Sequence, residues 1–417
     1  MNVASLIESV LGADAPVAFR AYDGSSGGPA GAPATLVLRS PDALRRLVTA
    51  PNEVGFGRAY VAGDLDIEGD MFAALELRNH IAKLRLNVEQ WRDALLLVGT
   101  SGLRPLPPPK EEAHLRGRRH SKQRDAAAIA HHYDVSNEFY RHVLGPSMTY
   151  SCAVFSTPTT SLEDAQAAKY ELVCTKLGLR PGMRLLDIGC GWGGMAVHAA
   201  KYHGAQVVGV TVSGRQAELA EKRAVDADVA DLVEIRLQDY RDVHDGPFDA
   251  ISSIGMFEHV GLSQLETYFE GCNALLRPGG RLLNHAIARP GAKRSLLGGV
   301  RPRFARQSFV DRFVFPDGEL HEVGSVVSAM QRQGFEARHS ENLREHYALT
   351  LRRWVHNLEA NWHDAVAEAG VGRARVWRLY MAASAVNFED ANIQIHQVLG
   401  VKGDHGRSGM PLRPSFS

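Results

Sequence analysis

The sequence lacks several features that would each indicate a particular class of protein. Its 417 residues carry 47 basic and 47 acidic side chains, so no net charge favours nucleic acid as a partner. Its four cysteines form no C-x-x-C pair, which suits a reducing cytoplasm and argues against a disulfide framework or a structural zinc site. No apolar run reaches the roughly 18 residues that span a bilayer, and the N-terminus has no basic leader. We therefore expect no signal peptide and no metal, and expect any membrane contact to be peripheral.

The length and the changes in composition predict two domains and a connector. Residues 1–100 are predicted to form a smaller α/β accessory domain that binds lipid or dimerises, because a strand pattern precedes a helix there and no catalytic constellation is visible. Residues 101–124 form a connector that is first rich in proline and then basic, and residues 125–417 are predicted to form the catalytic domain. The basic residues of the connector are Arg116, Arg118, Arg119, His120, Lys122 and Arg124. They are either a solvated linker or a patch that faces anionic lipid headgroups.

The pattern from residue 183 onward predicts a doubly wound α/β domain with a mostly parallel sheet. An apolar strand is predicted over 183–188, and a helix over 195–202 follows it. Further strands are predicted at 206–212, 232–236, 250–253 and 281–287, with helical patterns between them. Strands that alternate with helices place the ligand at the carboxyl ends of the strands.

A glycine-rich turn separates the first predicted strand from its helix. Asp187 is followed by Gly189, Gly191 and Gly193, which gives the pattern D-x-G-x-G-x-G. Glycine lets the backbone approach a ligand with φ > 0, and the helix start offers free N–H groups. The spacing differs from the dinucleotide pattern G-x-G-x-x-G and resembles motif I of class I S-adenosylmethionine (SAM) methyltransferases. The alternative is an ordinary tight turn between a strand and a helix.

The ends of the next two strands carry polar residues that could contact a nucleoside. Thr211 stands where most methyltransferases and NAD enzymes carry an acid for the ribose hydroxyls, and the absence of this acid weakens a nicotinamide interpretation. Gln216 follows Ser213 at capping-box spacing, so helix capping is an alternative role for both residues. Gln238 and Asp239 end the following strand, where an adenine amine needs an acceptor, although Asp239 could equally be a solvated turn residue.

Four other side chains are candidates for chemistry, although none is decisive alone. Glu258 lies in an apolar stretch after the fourth strand, where a carboxylate is costly unless it is paired or caps a helix. His285 ends the fifth strand, and a lone strand histidine is usually a satisfied core group. The same reservation applies to Cys152 and Tyr347. A zinc site built from the cysteine, the glutamate and the histidine is disfavoured, because no two of these residues form a local ligand pair.

Together these segments resemble the cyclopropane-fatty-acid synthase family, which includes the mycolic acid cyclopropane synthases. The resemblance covers about residues 125–400. Its motifs are HHYDVSNEFY at 131–140, MTYSCAVF at 148–155, the glycine turn, GVTVSGRQ at 209–216, FEHVG at 257–261, FVFPDG at 313–318 and HYALTLRRW at 346–354. This family also carries Thr after the second strand.

The resemblance implies a set of ligands and roles for particular residues. A bicarbonate ion is expected to be held by Cys152, Glu258, His285, the backbone of Ile287, and Tyr347. SAM is expected to contact the glycine turn and several flanking residues, which are Tyr150, Ser151, Asp187, Thr211, Gln216, Gln238 and Asp239. The implied fold is that of a class I SAM methyltransferase with an N-terminal accessory domain.

The resemblance also implies a reaction, in which the enzyme transfers a methyl group from SAM to the cis double bond of unsaturated acyl chains of membrane phospholipids. Bicarbonate then acts as the base that closes a cyclopropane ring. The alternative is a 10-methylene chain, which a partner reductase converts to a methyl branch. We expect a cytoplasmic enzyme that contacts the membrane peripherally. Whether it forms a homodimer is left open. A nicotinamide oxidoreductase and a non-catalytic lipid-binding protein are the rival classes, but neither explains this glycine turn.

Overall fold

The computed structural model describes residues 2–12, 15–81, 87–99, 104–113, 135–291, 308–316 and 318–416. The chain divides into two compact units. The first comprises Met1–His114, Gly299–Pro316 and Leu358–Val386, and the second comprises Leu115–Gly298, Asp317–Asn357 and Asn387–Ser417. This division differs from the contiguous boundaries at residues 100 and 124, which remain a prediction. Composition along the chain does not show that two late segments return to the N-terminal unit.

The first unit contains a four-stranded sheet with helices around it. The strands are β1 (Ala18–Ala21), β2 (Ser26–Gly27), β3 (Ala34–Leu38) and β4 (Leu65–Gly69), in the order β2-β1-β3-β4. Only β1 and β3 pair in parallel. The helices are α1 (Val3–Leu11), α2 (Pro41–Thr49), α3 (Glu53–Ala62), α4 (Met71–Ile81), α5 (Val88–Val98) and, later in the chain, α11 (Phe309–Phe313), α14 (Trp362–Ala369) and α15 (Val371–Glu389).

Helix α3 contains two glycines, Gly55 and Gly57, which in the sequence alone favour a turn. Asn52 caps the helix by accepting from the N–H groups of Val54 and Gly55. A Cβ at Gly57 would collide with the ring of Phe309, so the glycine permits close packing inside this unit. The buried Glu112 fixes the same region, since it accepts from Arg58 and from Arg312 at 2.7 and 2.8 Å.

The second unit is built on a seven-stranded sheet. Its strands are β5 (Arg184–Ile188), β6 (Gln206–Thr211), β7 (Val233–Leu237), β8 (Phe248–Ile254), β9 (Leu276–Ala288), β10 (Phe335–Asn342) and β11 (Gln394–Lys402). The order is β10-β11-β9-β8-β5-β6-β7. The predicted parallel sheet is confirmed for β5 to β9, while β11 lies antiparallel between β9 and β10. The helices are α6 (Asn137–Leu144), α7 (Leu162–Leu177), α8 (Gly194–His203), α9 (Gly214–Asp226), α10 (Leu265–Leu275), α12 (Val323–Arg332) and α13 (Arg344–Ala360).

Apolar side chains cover both faces of this sheet. Successive strand residues point to opposite faces, so Leu185 and Leu186 enter different clusters. Leu186 packs with Phe248 and Phe269, whereas Leu185 packs with the face of α8 that carries Met195. A sheet covered on both faces leaves its carboxyl edge as the place where loops can form a site.

Candidate active site

A cavity of about 580 Å³ lies at the carboxyl edge of the parallel strands. The turn after β5, the ends of β6 and β8, the segment after β7 and residues 148–151 all line it. Of the residues predicted to contact SAM, nearly all line this cavity: Tyr150, Ser151, Asp187, Gly189, Gly191, Thr211, Gln216, Gln238 and Asp239. Gly193 lies behind the turn, where a Cβ would meet Ala220. The structure thus brings the predicted nucleoside residues to one place.

The glycine turn has the backbone that its sequence predicts. Gly189, Gly191 and Gly193 have φ of 74°, 54° and 78°, a region that side chains with a Cβ rarely adopt. A Cβ at Gly191 would meet no atom within 4 Å, because this residue borders open space in the cavity. Helix α8 begins directly after the turn at Gly194. The turn therefore offers a backbone cradle and a helix start to a nucleoside ligand such as SAM.

Asp187 is a buried carboxyl group at the base of the cavity. Its Oδ1 accepts from Ser252 Oγ at 2.7 Å, while Oδ2 is buried and has no hydrogen-bond partner among the residues that the structure describes. Burial raises the pKa of Asp187 to about 6, although the Ser252 bond and the charge of Lys169 oppose the shift. A buried unpartnered oxygen at the cavity wall is suited to accept from a cationic or N–H donor of a bound ligand.

The residues after β6 and β7 already have protein partners. Thr211 Oγ1 donates to Gln216 Oε1 at 2.9 Å, and Ser213 Oγ caps α9 by accepting from the N–H of Gln216. Asp239 accepts two side-chain bonds from Arg241, and Gln238 donates to the backbone carbonyl of Asp242. Ser213 thus has the capping role, and the predicted adenine contact of Asp239 would be shared with Arg241.

The segment before Cys152 is held by polar side chains that the sequence reasoning missed. Lys169 Nζ donates to Ser151 Oγ at 3.0 Å, and Gln166 Nε2 donates to the Ser151 carbonyl at 3.0 Å. Both are fully buried on α7, and burial lowers the pKa of Lys169 to about 7. Lysine and glutamine on a helix are normally exposed, so the sequence alone carries no signal of this burial. Tyr150 stacks on Trp354 with ring centroids 5.3 Å apart.

None of the five residues predicted to hold bicarbonate is among those that line the cavity, although hydrogen bonds and strand pairing connect the segments that carry them. Cys152 Sγ lies 3.7 Å from the Leu343 carbonyl, which also accepts from the N–H of Tyr347 at 3.1 Å. The N–H of Leu343 bonds to Ile395, and Ile395 pairs with Ile287 across β9 and β11. His285 lies two residues before Ile287 and its carbonyl accepts from Gly255, which lines the cavity.

Glu258 and His285 each present a buried atom that lacks a partner within the described part of the chain. Glu258 Oε1 accepts from the N–H of Ile287 at 2.8 Å, whereas Oε2 is unpartnered. The Ile287 N–H, predicted to face the anion, is thus used by Glu258. His285 Nε2 is unpartnered too. Burial raises the pKa of Glu258 to about 7 and lowers that of His285 well below its usual value.

Cys152 is shielded and does not have the properties of a nucleophile. Its side chain is fully buried, and burial raises the pKa of its thiol far above the ordinary value. A nucleophilic cysteine needs a stabilised thiolate. The thiol can donate a weak hydrogen bond, and this is compatible with a role in lining an anion site.

Among the described residues, one cluster has the composition of a metal site. Cys174, His198 and His203 bring ligand atoms within 4.8 Å of one another. Glu171 Oε2 lies 3.3 Å from His198 Nε2 and 3.0 Å from His203 Nε2, so the carboxylate already joins the imidazoles in a hydrogen-bonded network. This network satisfies the imidazole nitrogens that face it without a metal.

The sheet order, the glycine cradle and the cavity at the strand ends define a SAM-dependent methyltransferase of class I. The family model described as mycolic acid cyclopropane synthetase matches residues 120–398. A probable fatty acid methyltransferase of Mycobacterium tuberculosis is 47% identical over 411 residues, which are 96% of this chain and 94% of that protein. The cyclopropane-fatty-acyl-phospholipid synthase of Escherichia coli K12 is 34% identical over 373 residues, 89% of each chain.

Solved structures agree with these relatives. The mycolic acid cyclopropane synthase CmaA1, complexed with SAH and CTAB, has a TM-score of 0.62 and 33% identity, covering 66% of this chain and 98% of that one. The chain belongs to the mycolic acid cyclopropane synthetase family. It is a SAM-dependent methyltransferase of the cyclopropane synthase type, in a family that acts on fatty acyl chains.

Proposed function

We propose that this enzyme transfers a methyl group from SAM to the cis double bond of unsaturated phospholipid acyl chains and closes a cyclopropane ring. The observation that carries the proposal is the pair of buried, unpartnered atoms, Glu258 Oε2 and His285 Nε2, beside the SAM cavity. Buried polar atoms normally have partners. An unpaired carboxylate oxygen and an imidazole nitrogen therefore indicate a small polar ligand between the cavity and the sheet.

The donor set fits bicarbonate. A bicarbonate ion carries one hydroxyl group that donates and two oxygens that accept. Of Glu258 Oε2 and His285 Nε2, one can accept from the hydroxyl group and the other can donate to an oxygen. When bound, bicarbonate supplies a negative charge and a proton acceptor, and SAM supplies the electrophilic methyl group. The pKa of Glu258 near 7 keeps its charge available at neutral pH without forcing full ionisation in a dry site.

The chain's own residues would control the fate of the carbocation that methyl transfer leaves on the acyl chain. Tyr150, which stacks on Trp354, lines the cavity together with Met148 and Trp192, and these apolar surfaces would limit the access of water to a bound substrate. Glu258 and His285 would hold the anion beside this cation, where its charge would stabilise the cation and its oxygen would be available to a proton of the new methyl carbon, whose loss closes the ring.

A methylene or methyl-branched product is the second candidate. The Mycobacterium tuberculosis relative is named as a fatty acid methyltransferase and not as a ring-forming enzyme. If the same cation lost a proton elsewhere, a methylene branch would form, and a partner reductase would then produce the methyl branch. The first steps and the SAM site would be identical.

Lipids from a host that expresses this chain would distinguish the two products. We expect acyl chains that gain one CH₂ unit and resist catalytic hydrogenation, because a cyclopropane ring survives conditions that saturate an exocyclic double bond. Chains that take up hydrogen after the gain would favour the methylene product. Unchanged lipids, with the protein folded and abundant, would count against both.

We further propose that the connector binds the membrane surface. In the described chain no helix is long and apolar enough to cross a bilayer, and the basic connector residues lie outside the described residues. Replacing Arg116, Arg118, Arg119, Lys122 and Arg124 with glutamine should weaken binding to anionic vesicles at least about tenfold, since each charge near such a surface contributes about 1 kcal/mol.

Co-sedimentation with phosphatidylglycerol vesicles at low salt would measure this loss. Added salt should reproduce it in the unchanged protein, because counterions screen exposed charges. Binding to neutral phosphatidylcholine vesicles is the control and should not respond to the substitutions. Equal binding of both proteins to anionic vesicles at low salt would show that the segment is only a linker.

A further inference from the structure

A buried chain of polar groups lies behind His285, on the side away from its unpartnered nitrogen. Gln397 on β11 pairs directly with His285 on β9, and its Nε2 is 2.9 Å from His285 Nδ1. Its Oε1 accepts from Lys176 Nζ at 2.7 Å, and Lys176 also bonds to Glu341. The side chains of His285, Gln397 and Lys176 are all fully buried.

Lys176 determines which atom donates and which accepts in each hydrogen bond from Lys176 to His285. An ammonium group can only donate, so the atom of Gln397 that faces it must be the amide oxygen. The amide nitrogen then faces His285, and because that nitrogen can only donate, His285 Nδ1 must accept. A neutral imidazole that accepts at Nδ1 carries its proton at Nε2.

These hydrogen bonds also determine the protonation of the other imidazole nitrogen, Nε2. His285 Nε2, the atom without a partner, becomes a donor that faces the proposed anion site. Burial, together with the nearby Lys169, Lys176 and His396, lowers the pKa of His285 and keeps its imidazole neutral. A neutral ring with the opposite tautomer would present a lone pair to the anion and would repel it.

We propose that Gln397 is a positioning residue, which Lys176 holds in one amide orientation so that the His285 Nε2–H donates to the reaction's anion. The inference rests on the proposed function, because the anion is part of it. Gln397 itself is not among the residues that line the SAM cavity. Its contribution is to exclude the His285 tautomer that cannot donate from Nε2. Hydrogen bonds to the opposite ring nitrogen fix the tautomer of metal-bound histidines in the same way.

The substitution Gln397→Glu tests this with almost no change in shape. A carboxylate at this position can only accept, so His285 must donate from Nδ1 and its Nε2 becomes an acceptor. Lys176 remains beside the new charge and compensates it, which favours folding. We expect kcat to fall by up to about 10⁴, the scale seen when a catalytic histidine is forced into the wrong tautomer, with SAM affinity unchanged.

Gln394→Glu is the matched control, because it makes the same chemical change on the same strand at a partly exposed position. It should retain kcat. Gln397→Met, which can neither donate nor accept, should lower kcat less than Gln397→Glu, because it leaves both tautomers accessible. An equal loss in the methionine and glutamate variants would indicate a packing role and would overturn the inference.

Nitrogen-15 NMR of the histidine rings gives a readout that does not depend on activity. The ring signals of His285 are assigned as those that are absent from the spectrum of His285→Asn. In the unchanged protein these signals should be those of the Nε2–H tautomer, and in Gln397→Glu those of the Nδ1–H tautomer. An Nδ1–H tautomer in the unchanged protein, or full kcat in Gln397→Glu, would overturn the inference. Failure of the proposed function would look different, since the unchanged protein would then form no ring product or would not respond to bicarbonate, whereas the tautomer of His285 would still be read from its nitrogen-15 signals.

Discussion

Replacing Glu258 by glutamine is expected to lower kcat by about 10² to 10⁴ while SAM binds as before, the range for a lost positioned base. The amide oxygen of glutamine can still accept from Ile287, so the local shape is kept, and only the charge at the unpartnered Oε2 position is removed. The charge is needed once the carbocation forms, and the loss should therefore appear in kcat more than in KM.

The pH profile provides a second signature of the same carboxyl group. Because the pKa of Glu258 is about 7, kcat of the unchanged enzyme should rise as the pH passes through that value and the group ionises. The glutamine variant should lack this rise. Glu270→Gln, an exposed change on α10, is the control and should match the unchanged enzyme. Near-normal turnover in Glu258→Gln would remove the assignment of Glu258 and leave the methyltransferase class intact.

Ionisation of Glu258 should lower the stability of the folded protein, whereas it raises kcat. A carboxyl group with a raised pKa in the folded state binds its proton more tightly there than in the unfolded chain, so its contribution to stability is lost as the pH rises from about 4.5 through about 7. The shift corresponds to a cost on the order of 3 kcal/mol for ionising the buried group. The melting temperature of Glu258→Gln minus that of the unchanged enzyme should therefore increase between about pH 5 and pH 8.5.

Gly191→Val is expected to abolish SAM binding, with a loss of affinity of at least about 100-fold, or roughly 2.7 kcal/mol. A β-branched side chain resists the φ of 54° at this position, and it would project into the cavity, where a Cβ now meets nothing. Isothermal titration with SAM or S-adenosylhomocysteine would measure the loss.

The control for Gly191→Val must carry the same backbone strain away from the cavity. Gly182 has φ of 80°, a Cβ there would also meet no atom within 4 Å, and the residue does not line the cavity. Gly182→Val should therefore lower the melting temperature without lowering SAM affinity. A folded Gly191→Val protein that binds SAM normally would contradict the assignment of the turn as the nucleoside cradle.

The sequence predicted the parallel half of the sheet and the cavity, because both depend on local patterns. Strand β5, the three glycines and α8 are consecutive, so periodicity and turn chemistry determine them together. The two strands β10 and β11 were missed, since β11 pairs with β9 across more than a hundred residues and adds to the sheet antiparallel. Pairing at such a distance leaves no trace in local periodicity.

The polar support of the site was missed for the same physical reason. Lys169 and Lys176 lie on α7, where a lysine normally suggests a solvated face. Only the fold shows that they are buried and that their partners come from residues 151 and 397. Glu258 and His285 were identified through the family resemblance, because a lone carboxylate or histidine in an apolar segment has no distinctive spacing of its own.

The most direct test of the account is methyl transfer by the purified protein in buffer depleted of carbon dioxide, with and without added bicarbonate. SAM carrying a deuterated methyl group and vesicles of an unsaturated phospholipid would be supplied, and the acyl chains would be analysed by mass spectrometry before and after hydrogenation. We predict a hydrogenation-resistant gain of one CD₂ unit that bicarbonate stimulates in the unchanged protein and stimulates much less in Glu258→Gln. Absence of label from the acyl chains, or equal turnover with and without bicarbonate, would contradict the account.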